Sequence, residues 1–81
     1  MPKIQRASIS PALLEHLLDR VITRDITIAN LYEMQNWIDG NPTVPVGDWF
    51  KRFGTFTICG KDSLVKTFLT AKQVPVGTEA P

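Results

Sequence analysis

Gly47-Asp48-Trp49-Phe50-Lys51-Arg52-Phe53-Gly54-Thr55-Phe56-Thr57-Ile58-Cys59-Gly60 holds four of the chain's seven aromatic residues, three of its five glycines and its only cysteine. Aromatic side chains bury the largest area per residue, and Trp and Tyr add a polar handle. In a chain of 81 residues, this concentration marks either the core or a binding surface. The first half reads in two ways. As a strand it alternates poorly, because Lys51 would share a face with Trp49 and Phe53. As a short helical turn it is coherent: Asp48 caps it, Trp49, Phe50 and Phe53 share a face, and Gly54 closes it. Lys51 and Arg52 would then sit at the negative end of the turn. The turn is the expected form. Thr55 to Cys59 alternates with period two and is rich in strand formers, Gly60-Lys61-Asp62-Ser63 is turn chemistry, and Leu64 to Thr70 reads as a second strand. Together they predict a β-hairpin.

Upstream, Ser10-Pro11 opens a helix, serine as N-cap and proline at the first helical position. Leu13, Leu14, Leu17, Leu18, Val21 and Ile22 recur in adjacent pairs every four residues, which gives an amphipathic helix from Pro11 to Thr23. Asp25 or Thr27 caps a second helix from Ile28 to Ile38, and Gly40, suited to the left-handed position, ends it ahead of Pro42. Helices first and strands after imply segregated elements. The expected fold is α+β: an N-terminal two-helix hairpin packed on a C-terminal antiparallel β-hairpin or three-stranded sheet. The third strand would come from Val44–Val46 or Val74–Val76, which share the short repeat Val-Pro-Val-Gly. Leu14, Leu17, Leu18, Val21, Leu31, Met34, Ile38, Phe53, Phe56 and Ile58 form the expected core. Residues 1–81 are expected to make one small domain, with 1–9 and 78–81 as flexible ends.

Composition is that of an ordinary globular protein, 43% hydrophobic and 21% charged, with a formal net charge of +1. No strong field advertises nucleic acid or an anionic membrane. Unbroken apolar runs reach only two or three residues, far short of a bilayer span. The first residues lack the apolar stretch of a secretory signal, and one cysteine makes no internal disulfide. The expectation is a cytoplasmic protein.

Catalytic chemistry finds little support. Nucleophilic catalysis needs a nucleophile, a base in reach and a group that orients the base. Cys59 and His16 are the only thiol and imidazole, one in the hairpin and the other on the polar side of the first helix. The same two residues cannot fill a four-coordinate zinc site, and the eight carboxylates are scattered. Gly60-Lys61-Asp62 resembles the end of a phosphate loop, but Gly54 is out of register and Asp62 would repel phosphates. The chain is expected to be no enzyme, with no cofactor, metal or small-molecule ligand.

The expected partner is another protein or a second copy of the chain, with Trp37, Trp49, Phe50 and Arg52 as contacts. The alternative is nucleic acid held by Lys51, Arg52, Lys61 and Lys66, interleaved with aromatics that could stack bases. It is disfavoured, because no lysine or arginine occurs from Asp25 through Phe50, which includes the whole second helix.

Overall fold

The computed structural model describes residues 2–70 and 72–81. Two helices, α1 (Pro11–Ile22) and α2 (Ile28–Asp39), precede four strands: β1 (Asp48–Phe53), β2 (Phe56–Lys61), β3 (Leu64–Thr70) and β4 (Thr78–Glu79). The architecture is α+β, with a mixed sheet of order β3-β2-β1-β4. β1, β2 and β3 run antiparallel in sequence, and β4 lies parallel to β1.

The helices follow their caps. The Ser10 hydroxyl accepts from the Leu13 N–H at 3.2 Å, and Thr27, rather than Asp25, does the same for the Asn30 N–H at 3.2 Å. α2 runs one residue past Ile38, so the left-handed position falls on Asn41 (φ 50°), while Gly40 keeps φ −77°. Asparagine tolerates that conformation, and Gly40 caps the helix in an ordinary conformation, its N–H donating to the Asn36 carbonyl at 3.2 Å.

Asp48 to Phe53 is a strand, not the helical turn expected. The reason lies in its two faces. Trp49 and Phe53 point toward the helices, Phe50 points away, and all three are buried. A strand buried on both faces loses its alternation. Lys51 shares the helix-side face and is half-buried there, its aliphatic stem lying along the sheet and its ammonium able to reach water. Gly54 (φ 62°) leads the two-residue turn Gly54-Thr55, the position where a hairpin with a II′-type turn wants glycine.

The fourth strand comes from neither Val-Pro-Val-Gly segment. Thr78–Glu79 supplies it, and Val74 and Val76 are exposed. Val44 is buried beside the N-terminal segment, where its N–H donates to the Pro2 carbonyl at 2.9 Å. Both ends of the chain, expected to be loose, place an apolar side chain in the core: Ile4, and Ala80, whose N–H donates to the Phe50 carbonyl at 2.7 Å. Because β4 lies at the opposite edge from β3, the segment from Lys72 to Gly77 crosses the face of the sheet away from the helices. There Val74 and Val76 meet Cys59, Thr67 and Leu69 around a shallow cavity of about 270 Å³.

The core holds Leu17, Leu31, Met34, Ile38, Phe53, Phe56 and Ile58 as expected, joined by Leu13, Ile26, Trp49 and Val65. Leu14 and Val21 are only half-buried, and Leu18 is exposed. Trp49 sits at the centre, with its ring across Gly60 on the paired strand and its indole N–H donating to the Asp62 carbonyl at 2.9 Å. Asn30 anchors α2 to the β1–β2 turn: its Oδ1 accepts from the Thr55 N–H at 3.0 Å and the Thr55 hydroxyl at 2.8 Å.

A methyl group on Gly60 would stand 2.3 Å from Trp49 Cζ2 and 2.4 Å from the Leu64 carbonyl oxygen. Gly60→Ala should therefore destabilise the fold by about 2–3 kcal/mol, the cost of overpacking a close-fitted core. A urea titration followed by tryptophan fluorescence checks this, and an unchanged midpoint would disprove the packing described.

Candidate functional site

The apolar stripe of α1 is built from two adjacent columns. Leu13 and Leu17 point into the core, whereas Leu14, Leu18 and Ile22 follow one another at four-residue spacing along the opposite side of the apolar stripe. α2 repeats the arrangement, with Leu31, Met34 and Ile38 buried and Ile28 and Tyr32 turned out. The exposed fractions are 47% for Leu18, 77% for Ile22, 54% for Ile28 and 57% for Tyr32.

The helical period sets these residues on two lines that lead from one cleft. Leu14 of α1 and Gln35 of α2 line one cleft between the helices, together with Ile9, Pro11, Met34 and Ile38; its volume is about 500 Å³. From Leu14 the α1 line continues through Leu18 to Ile22; from Gln35 the α2 line continues through Tyr32 to Ile28. Ile22 and Ile28 flank the short link between the helices, so both lines end together. At the opposite end Arg6 Nε and Asp39 Oδ1 pair at 2.7 Å, with a second contact at 2.9 Å from the guanidinium to Oδ2. The hydrogen bonds from Arg6 hold the Asp39 carboxyl below its usual range. The pair also places a cation beside the C-terminus of α2, which has no basic residue in its last turn.

The residues proposed from the sequence as protein contacts do not form one surface. Trp49 is completely buried, so as folded it offers nothing to a partner. Trp37 is half-buried against it, ring centroids 5.9 Å apart, with Phe53 at 5.8 Å on another side. Its indole N–H donates to the carbonyl of Pro81 at 3.2 Å. Phe50 is buried on the far face of the sheet, where the Arg52 guanidinium lies 5.5 Å from its ring centroid. Arg52 is exposed and its Nε stands 3.5 Å from a Glu79 carboxylate oxygen. A chain this short needs its aromatics for the core, and that requirement decides the question left open by the sequence.

The cations of the nucleic-acid alternative are likewise dispersed. Lys51 and Arg52 are adjacent on a strand and point to opposite faces, and Lys61 ends β2. Lys66 lines a different feature, a cleft of about 940 Å³ between α1 and β3, which it shares with His16, Arg20 and Lys72. Cys59 and His16 lie on opposite sides of the sheet, the thiol beside the crossing segment and the imidazole at the α1–β3 cleft. Among the described residues, no three His, Cys, Asp or Glu side chains gather as metal ligands, and no helix is long and apolar enough to cross a membrane.

The helix-pair surface had a legible signal in Ile22, which carries the apolar pattern of α1 about half a turn round the helix from Leu13. No family model, no curated protein and no solved structure matches this chain.

Burial pushes the Cys59 thiol above its ordinary value. The thiolate fraction at neutral pH is thereby reduced, and thiolate is the reactive form. Iodoacetamide should modify Cys59 more slowly than it modifies free cysteine at pH 7.5, with the rate climbing only as the pH passes the ordinary thiol range. Labelling as fast as free cysteine would mean that the thiol is activated.

Proposed function

We propose that this chain is a small non-catalytic binding protein that acts by protein–protein association through the outer face of its helix pair. One observation carries the reading: Leu18, Ile22, Ile28 and Tyr32 stand exposed on the surface bounded by Leu14 and Gln35. Contiguous apolar surface of this kind marks interaction sites in soluble domains. Tyrosine, with its large ring and polar tip, is also a favoured anchor in such sites.

A symmetric dimer is the form favoured by the shape of the face. Two roughly parallel apolar lines with a groove between them present the same surface to a two-fold partner, so each helix line can seat in the facing groove. The result would be a central layer of four helices with a sheet on each side. A non-catalytic role fits the separation of Cys59 from His16 by the sheet. A cytoplasmic setting fits a lone half-buried thiol with no disulfide partner.

Sedimentation equilibrium over a range of protein concentrations tests this. The wild-type chain should dimerise in the micromolar range, and Ile22→Glu with Tyr32→Glu should weaken dimerisation by at least about a hundredfold, since it buries four carboxylates per dimer. Both positions are on the surface, so the double variant should keep its monomer stability to within about 1 kcal/mol. A wild-type chain that remains monomeric at the highest concentration removes the dimer. The face then needs a different protein, whose binding the same double variant must abolish.

A further inference from the structure

We propose that the cleft between α1 and β3 binds an extended acidic peptide, which joins the sheet at β3 as a fifth strand. This surface is separate from the outer helix face, and the proposal does not depend on it. β3 is an edge of the sheet, since the order β3-β2-β1-β4 leaves its outer side without a neighbouring strand. Sheet edges of this kind are extended by peptides through main-chain hydrogen bonds, with specificity supplied by the side chains around them.

Main-chain geometry shows which groups are open. The Thr70 N–H donates to Gln73 Oε1 at 3.0 Å, and the Gln73 N–H donates to the Thr70 carbonyl at 3.1 Å. Thr70 therefore turns its peptide groups away from β2. In an antiparallel ladder this orientation alternates residue by residue, so the N–H and C=O of Phe68 also face outward. Gln73 already occupies the Thr70 position much as an added strand would. Phe68 is the next place at which a peptide can pair, and it lines the cleft. One residue beyond Thr67, the ladder shifts register between Cys59 and Gly60, leaving Lys66 as the extra residue of a bulge, on the rim of the same cleft.

Charge selects the peptide. His16 and Arg20 reach the cleft from α1, and Lys66 and Lys72 from the β3 side. The one carboxylate present, Asp25, is engaged by Arg20 at 3.2 Å and by the Thr23 hydroxyl at 3.1 Å. Neither Glu15 nor Asp19 of α1 lines the cleft, although Asp19 lies one turn from His16 on the neighbouring side of the helix. A lone lysine on an edge strand would serve to keep other strands off. Lys66 and Lys72, with His16 and the Asp25-paired Arg20 beside them around a cleft of about 940 Å³, do the opposite for an acidic strand. They also disfavour the chain's own edge as occupant, because pairing β3 with β3 of a second copy would bring like charges together.

The test uses the full chain and a fluorescein-labelled peptide alternating glutamate and valine. It is compared with the same peptide carrying lysine for glutamate, and with a version N-methylated at alternate amides. Anisotropy should show micromolar binding of the acidic peptide, weakening with salt, and a loss of at least about tenfold on N-methylation, which removes strand pairing and leaves charge intact. The lysine peptide should not bind. Lys66→Glu with Lys72→Glu should also cost about tenfold or more. In the wild-type chain the Phe68 amide resonance should shift on binding while that of Phe50 stays. No binding of the acidic peptide overturns the proposal. So does equal binding of the N-methylated peptide, which would show that charge alone is read. Oligothymidylate bound as tightly in the same cleft would replace the peptide with a general polyanion. If the double lysine variant fails to fold, the N-methylation comparison on the wild-type chain decides.

Discussion

The ring of Trp49 lying flat across Gly60 is the contact on which the rest of this fold depends. It demands a residue with no side chain on the neighbouring strand, and Gly60 meets that demand at the register Trp49↔Gly60. The indole N–H then reaches the carbonyl of Asp62, a non-glycine residue at φ 53°. Asp62 is secured a second time by Gly47, whose N–H donates to the Asp62 carboxylate at 2.8 Å and whose carbonyl accepts from the Asp62 N–H at 3.1 Å. One aromatic side chain thus fixes the pairing of β1 with β2, the β2–β3 turn and the entry into β1. Trp37 packs on its other side and, through its own indole N–H, holds the last residue of the chain.

Local rules made the helices legible. Their caps at Ser10 and Thr27 and the four-residue spacing act within a few residues, and so do the turn residues and alternation that marked β2 and β3. β1 was misread because its pattern is set by distant parts of the chain. Phe50 is buried where the Thr78–Glu79 strand and the Arg52 side chain meet it, and a lysine such as Lys51 is tolerated beside Trp49 because a long stem can carry its ammonium to water. Neither fact is local. The same limit hid the roles of Ile4, Val44 and Ala80, which are brought into the core by pairings such as Ile4 with Pro42 and Ala80 with Phe50. Of the sites, the aromatic cluster was read as core or contact surface, and burial assigns Trp49, Phe53 and Phe56 to the core. The α1–β3 cleft could not be seen in sequence, since His16 and Lys66 are joined only by packing of a helix on a sheet edge.

The economy of a short chain explains how the side chains are distributed. With only about 60–65% of its unfolded surface available for burial, a domain of this size gains most from its largest side chains. Trp49, Phe53 and Phe56 fill the space between helices and sheet, with Phe53 and Phe56 stacked at 5.6 Å. Leu13 and Leu17 of α1 complete that layer. Leu31, Met34 and Ile38 close it from α2.

Leu18 and Ile22 lie outside that layer, and Leu14 lies at its margin. α1 presents three sides: Leu13 and Leu17 to the core, His16 and Arg20 to the β3 edge, and the Leu14–Leu18–Ile22 line to solvent. An amphipathic stripe two columns wide accommodates Leu14 and Leu18, but Ile22 lies about half a turn round the helix from Leu13, outside it. Leu18 and Ile22 expose apolar area to water, which is unfavourable unless something covers it. The imbalance is confined to one face, and α2 continues it through Ile28 and Tyr32. Apolar residues scattered singly over a surface need no explanation, but exposed apolar residues aligned on two adjacent helices do, and the proposed protein partner would supply it.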